Sequence, residues 1–198
     1  MEKNKILYLL SKITRILTLA PILALSSSLI IYFSKSNYYA SVGSFITSIL
    51  LLVILPLLAY PLFYIVKKFK EKGRPFQRKL AIIFAYISYL LIFILSFIFN
   101  DSWNIRIYYL TYLISGIVIL LSSKFFHFNI SGHAAGVVGP IVYLSFYVSP
   151  FYLFALLLFV LVIISSLYMK RHTFIELIIG GLLPTSIIVI SFLIQMIF

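Results

Sequence analysis

The residues of this sequence best suited to chemistry fall into three short clusters. In Lys170-Arg171-His172-Thr173-Phe174-Ile175-Glu176, His172 and Glu176 stand four apart, the helical spacing that puts an imidazole and a carboxylate on one face within hydrogen-bonding reach. A carboxylate accepting the proton of one ring nitrogen fixes the tautomer and raises the basicity of the other, leaving a nucleophile directed away from the pair. The plainer alternative is a helix start, with Glu176 favoured by the dipole of the first turn. The second cluster, Asn129-Ile130-Ser131-Gly132-His133, offers an anion backbone N–H groups, a hydroxyl and a second imidazole at one helix N-terminus. Its plainer alternative is Ser131 as a helix cap. The third, Lys67-Lys68-Phe69-Lys70-Glu71-Lys72-Gly73-Arg74-Pro75, supplies Lys67 and, with six residues between them, an Arg able to grip phosphate oxygens with two parallel hydrogen bonds. Runs of cations beside apolar segments also serve as topology signals and headgroup surfaces, and Lys68, Lys70, Lys72, Arg78 and Lys79 fit that role.

The elements that must position these clusters follow from composition. Of 198 residues, 63% are hydrophobic and 10% charged, which excludes an ordinary water-soluble domain and predicts an all-α, polytopic membrane helix bundle. Apolar stretches long enough to cross a bilayer are expected near 16–34, 44–66, 80–99, 107–123, 134–149, 151–169 and 174–198, giving six to seven transmembrane helices. The 134–149 stretch is the weakest, being short and containing Pro140. No separate soluble domain fits, so residues 1–198 read as one integral-membrane domain with a motif-bearing core at about 67–181. There is no Cys, which removes disulfides, thiolate metal sites and cysteine nucleophiles. Chemistry is left to His, Ser, Lys, Arg and carboxylates.

Alternation through these spans puts the N-terminus and the connectors at 67–79, 124–133 and 170–173 on one face. Four Lys and Arg precede the first span and seven lie in 67–79; with Lys124, Lys170 and Arg171 on the same face, the other is left only Lys35 and Arg106. All three clusters share the basic face, which the positive-inside rule assigns to the cytoplasm. The net charge of +12 is therefore concentrated where an anionic partner would meet it.

Lys67-x6-Arg74-Pro75, Ser131-Gly132-His133 and His172-x3-Glu176, in that order, resemble the signature of the type-2 phosphatidic-acid phosphatase superfamily, membrane lipid phosphatases that include polyprenyl- and dolichyl-diphosphate phosphatases. The resemblance runs from residue 67 to about 181, including Gly180-Gly181. It implies a nucleophilic His172 oriented by Glu176, a phosphohistidine intermediate and His133 as proton donor to the leaving oxygen. Lys67, Arg74, Ser131, Gly132, Arg171 and Lys170 would hold the phosphate, with no metal or other cofactor. The implied partners are a lipid phosphate, of polyprenyl or phosphatidate type, and the bilayer, rather than nucleic acid. The departures are Ile130 where the family has Pro, Glu176 for Asp, and Ser166 for an Arg phosphate ligand, for which Lys170 and Arg171 are the expected substitutes. Two spans also lie between the first two motifs, where familiar members keep both in one connector. Most members face their site outward, opposite to the charge bias here. The competing readings are an anionic-lipid binding protein or small transporter that uses the same cations without catalysis, and a structural subunit whose clusters lie far apart.

Overall fold

The computed structural model describes residues 2–197, with side chains for all of them except 2–4, 74, 75 and 78. The chain is α-helical, with no strand among the described residues. It begins with α1 (Glu2–Leu17), whose apolar residues Ile6, Leu9, Leu10, Ile13, Ile16 and Leu17 recur at helical spacing and are all exposed. Ser11, Thr14, Arg15 and, just past its end, Thr18 lie on the opposite stripe. Such a helix buries one face in the membrane boundary and turns the other toward protein or water. An apolar span is expected from residue 16; the helix carrying that stretch starts instead at Ala20, as α2 (Ala20–Ser34). Pro21 accounts for the shift: it has no N–H to offer the Leu17 carbonyl, so the helix breaks and α1 meets α2 at 47°.

The next span, Val42–Ile65, is built from α3 (Val42–Ile49), a wide turn at Leu50–Ile54 and α4 (Leu55–Ile65). In the wide turn the Leu55 N–H reaches back five residues to the Leu50 carbonyl, which absorbs the backbone that Pro56 would otherwise clash with. A short helix, α5 (Lys67–Lys70), leads into α6 (Gly73–Ile98) and α7 (Trp103–Phe125). Then follow α8 (Gly132–Tyr147), a tight helical segment over Pro150–Leu156 running into α9 (Leu157–Tyr168), and α10 (Phe174–Ile197).

Five helical stretches are long and apolar enough to cross a membrane, with mean hydropathy between 1.7 and 2.6, and the count is six if the bent α1–α2 pair is taken as one span. This is the fold of a multi-pass membrane protein. The expected span at 134–149 corresponds to α8, which is too short for that count. It is instead the most enclosed helix, with residues 134–145 all buried, and α2, α7, α9 and α10 pack around it. Its glycines and alanines permit that enclosure, because close helix contacts in lipid are made by small residues.

The end of the bundle away from the clusters is tied by polar contacts. The Asp101 carboxylate, 2% exposed, accepts from the Ala40 N–H at 2.9 Å and from the Ser44 hydroxyl. The Tyr38 hydroxyl donates to the Tyr147 carbonyl at 2.9 Å, and the Ser102 N–H to the Tyr38 carbonyl at 3.0 Å. These bonds gather the 35–41, 99–102 and 147–149 turns at one end, so the chain alternates as the hydropathy predicts.

Candidate functional site

At the opposite end, the second and third clusters are joined directly. The Ser131 N–H donates to the Glu176 carbonyl at 3.1 Å, binding the turn before α8 to the first turn of α10. Gly180 makes this possible: a Cβ there would stand 2.5 Å from the Ser131 carbonyl oxygen. Ser131 itself is fully buried, and its hydroxyl accepts from the Ala134 N–H at 3.3 Å. It thus caps α8, the plainer of its two expected roles, while its neighbours Gly132 and His133 face an open cup.

His172 and Glu176 form the expected pair. Nδ1–H of His172 donates to Glu176 Oε2 at 3.0 Å, which leaves Nε2 with the lone pair. The same carboxylate oxygen accepts from the Thr173 N–H at 2.9 Å, and the Thr173 hydroxyl accepts from the Glu176 N–H at 3.3 Å. This reciprocal capping box satisfies two backbone donors at the start of α10 and holds the carboxylate where His172 needs it. Helix start and charged pair, alternatives on the sequence, are one structure.

The chain approaches His172 through a second device. α9 ends with the Lys170 N–H bonded to the Leu167 carbonyl and the Arg171 N–H to the Ser166 carbonyl, both at 3.0 Å. Lys170 occupies the left-handed region with φ 50°. This Schellman ending usually places Gly where Lys170 stands, and a side chain there costs about 1 kcal/mol. The reversal turns Lys170, Arg171 and His172 toward the cup. Ser166, which stands where the family signature has an Arg, is buried and does not wall the cup.

His133 is held from an unexpected direction. The Thr18 hydroxyl, at the elbow between α1 and α2, donates to the Thr14 carbonyl at 2.7 Å and lies 2.9 Å from His133 Nε2. With its proton committed to Thr14, that hydroxyl can only accept, so His133 is protonated on Nε2 and keeps its lone pair on Nδ1. Burial first, then the Arg15 guanidinium and the neighbouring His172 ring, push its pKa down to about 4, and the ring is neutral at pH 7.

The cup has a volume of about 970 Å³. Its polar wall includes Arg15, His133, Lys170, Arg171, His172 and Glu176, with Tyr60, Gln77 and Asn129 opposite or beside them. Sequence reasoning missed Arg15, Gln77 and Tyr60, and gave Asn129, inside the second cluster, no role of its own. Of the expected ligands, Lys67 is exposed on α5 and does not wall the cup. The side chain of Arg74 lies outside the described residues; its position in α6 is one helical turn before Gln77, which does reach the wall. Sharing Ala20, Ile82, Ala85, Tyr89 and Gly132 with the cup, a second cavity of about 160 Å³ runs on into the bundle. It is almost wholly apolar, narrowed by Tyr86, Tyr112, Gly116, Gly136 and Pro140. Among the described residues, no group of three His, Asp or Glu side chains stands close enough to hold a metal ion.

Fold and site together define a polytopic α-helical membrane protein with a cationic, imidazole-bearing cup at one end of its bundle. No family model, curated protein or solved structure matches the chain.

Proposed function

We propose that the protein is a membrane lipid phosphatase, cleaving the phosphate monoester or diphosphate of a lipid through a phosphohistidine intermediate. The observation that carries this reading is the convergence of two imidazoles with opposite proton assignments on one basic cup. His172 presents a free Nε2 backed by a carboxylate, and His133 presents a free Nδ1 backed by Thr18. A surface that only binds an anionic headgroup has no need of either arrangement. The order of the three motifs, like that of the type-2 phosphatidic-acid phosphatase signature, agrees with the same chemistry.

In this reading Nε2 of His172 attacks phosphorus. The Nε2–P bond forms as the bond from phosphorus to the leaving oxygen breaks, and Glu176 stabilises the positive charge that develops on the ring. The leaving oxygen takes its proton from His133. Burial holds His133 neutral, and a phosphate anion entering beside it favours its charged form, which supplies that proton. Water then attacks phosphorus, giving a proton to Nδ1 of His133, and the Nε2–P bond breaks to release phosphate. Arg171, Lys170 and the Gly132 N–H stabilise the equatorial oxygens, where charge is greatest in the transition state.

The apolar cavity continuing out of the cup supports a reading of the substrate class. Its narrow aromatic bore suits the first units of one unbranched or methyl-branched chain better than a paired-acyl headgroup, so a polyprenyl phosphate or diphosphate is the first choice and phosphatidate the second. The concentration of Lys and Arg at the cup's end favours a cytoplasmic site. The test is phosphate release from a panel of polyprenyl and glycerolipid phosphates by the detergent-solubilised chain. Release by wild type and none above background by His172→Ala is expected; equal release by both rejects the mechanism.

A further inference from the structure

The cup carries one cation that the three motifs do not account for. Arg15 comes from the polar stripe of α1, is half-buried, and walls the cup beside Arg171 and His133. It interacts electrostatically with both. Lys170 adds a third positive charge to the same wall. The one carboxylate there, Glu176, is committed to His172 and to the Thr173 N–H. Among the described residues no Lys or Arg pairs with a carboxylate, the His172–Glu176 contact being the only basic–acidic one, and no hydrogen bond is made by the side chains of Arg15, Lys170 or Arg171. Arg15 is half-buried and Lys170 and Arg171 are exposed, so three cations face one cup with no counter-charge of their own, and an anion entering among them is favoured.

The placement of α1 explains how Arg15 reaches the site. α1 packs along α9, the helix on which Ser166 stands buried where the family signature carries a phosphate-binding Arg. We infer that Arg15 is a phosphate ligand of the cup, delivered by the N-terminal amphipathic helix in place of the guanidinium that Ser166 does not provide. This rests on the cup being an anion site, as the phosphatase reading requires, but not on hydrolysis. The apolar stripe of α1 faces outward and seats in the membrane boundary, so one helix both anchors at the surface and supplies a wall of the site. A guanidinium presents paired donors to two phosphate oxygens, whereas an ammonium at the same place offers the charge without the fork.

The experiment is a titration of the detergent-solubilised full chain with inorganic phosphate, followed by calorimetry, on wild type, Arg15→Gln, Arg15→Lys and Lys12→Gln. Lys12 is exposed on the same helix, outside the cup walls, and controls for general loss of charge. Wild-type and Lys12→Gln chains are expected to bind phosphate alike, Arg15→Gln about tenfold or more weakly, and Arg15→Lys in between. Unchanged binding by Arg15→Gln overturns the inference. So does equal weakening by Lys12→Gln, which would make the effect one of diffuse charge, and so does the absence of phosphate binding by wild type. If Arg15→Gln misfolds, by size-exclusion profile and thermal unfolding, Arg15→Lys decides alone: binding equal to wild type overturns the assignment and weakened binding supports it. Arg15-dependent phosphate binding by a chain that hydrolyses no lipid phosphate would sink the phosphatase reading and leave this ligand in place.

Discussion

At the scale of single residues, the two histidines differ more in how they are held than in what they are. His172 is paired within its own helix turn, four positions from Glu176, and that pairing is legible from spacing alone. His133 depends on Thr18, 115 positions away, and no local pattern announces such a contact. The same is true of Arg15, which reads as one of four cations before the first span until α1 folds against α9. The held state of His133 has a consequence for pH dependence. Its pKa in the fold is about 4, against an ordinary 6.5, so the unfolded chain takes up a proton between those values and the folded chain does not. Stability from this group is therefore complete above about pH 6.5 and lost as pH falls toward 4, by on the order of 3 kcal/mol. Thermal unfolding in detergent is expected to show a fall in midpoint between pH 7 and pH 4.5 that is reduced in His133→Asn; an undiminished fall in the variant would assign it to other groups.

At the scale of elements, the site is made by the meeting of α8 and α10. The sequence places Ser131-Gly132-His133 and His172-x3-Glu176 on the same face of the membrane, but says nothing of how closely two helix starts approach. Gly180 sets that distance. A methyl group added there would meet the Ser131 carbonyl oxygen at 2.5 Å and the Ala134 Cβ at 3.0 Å, both on a buried helix start with little room to yield. Gly180→Ala is therefore expected to push the two turns apart and to cost about 1–3 kcal/mol. A lowered unfolding midpoint together with reduced phosphate release checks it; wild-type values for both would show that α8 and α10 can part without loss. The same reasoning explains the missed cup walls. Tyr60 and Gln77 lie on segments whose own patterns say only span or connector, and only packing brings them to one opening. Lys67 shows the converse: its motif spacing fits, yet α5 carries it outside the walls.

At the scale of the whole molecule, the two ends of the bundle divide the labour. One end is tied by Asp101, Tyr38 and Tyr147, and the other opens into a basic cup backed by an apolar bore. The all-helical, multi-pass character was legible because a bilayer demands long apolar runs with satisfied backbones, and hydropathy reports those directly. The burial of α8 was less so, since it depends on which helices pack around it. An anion taken at the cup with its chain in the bore would be held in place for attack by His172, and the covalent product is the claim most open to direct proof. A polyprenyl phosphate labelled with radioactive phosphorus, mixed with the solubilised chain and quenched in alkali within the first turnovers, should leave label on the protein in acid-labile, base-stable form. The label should be absent from His172→Ala and should accumulate in His133→Ala, which forms the intermediate slowly but lacks the base to clear it. Hydrolysis by wild type with no protein-bound phosphorus in either wild type or His133→Ala would contradict the account.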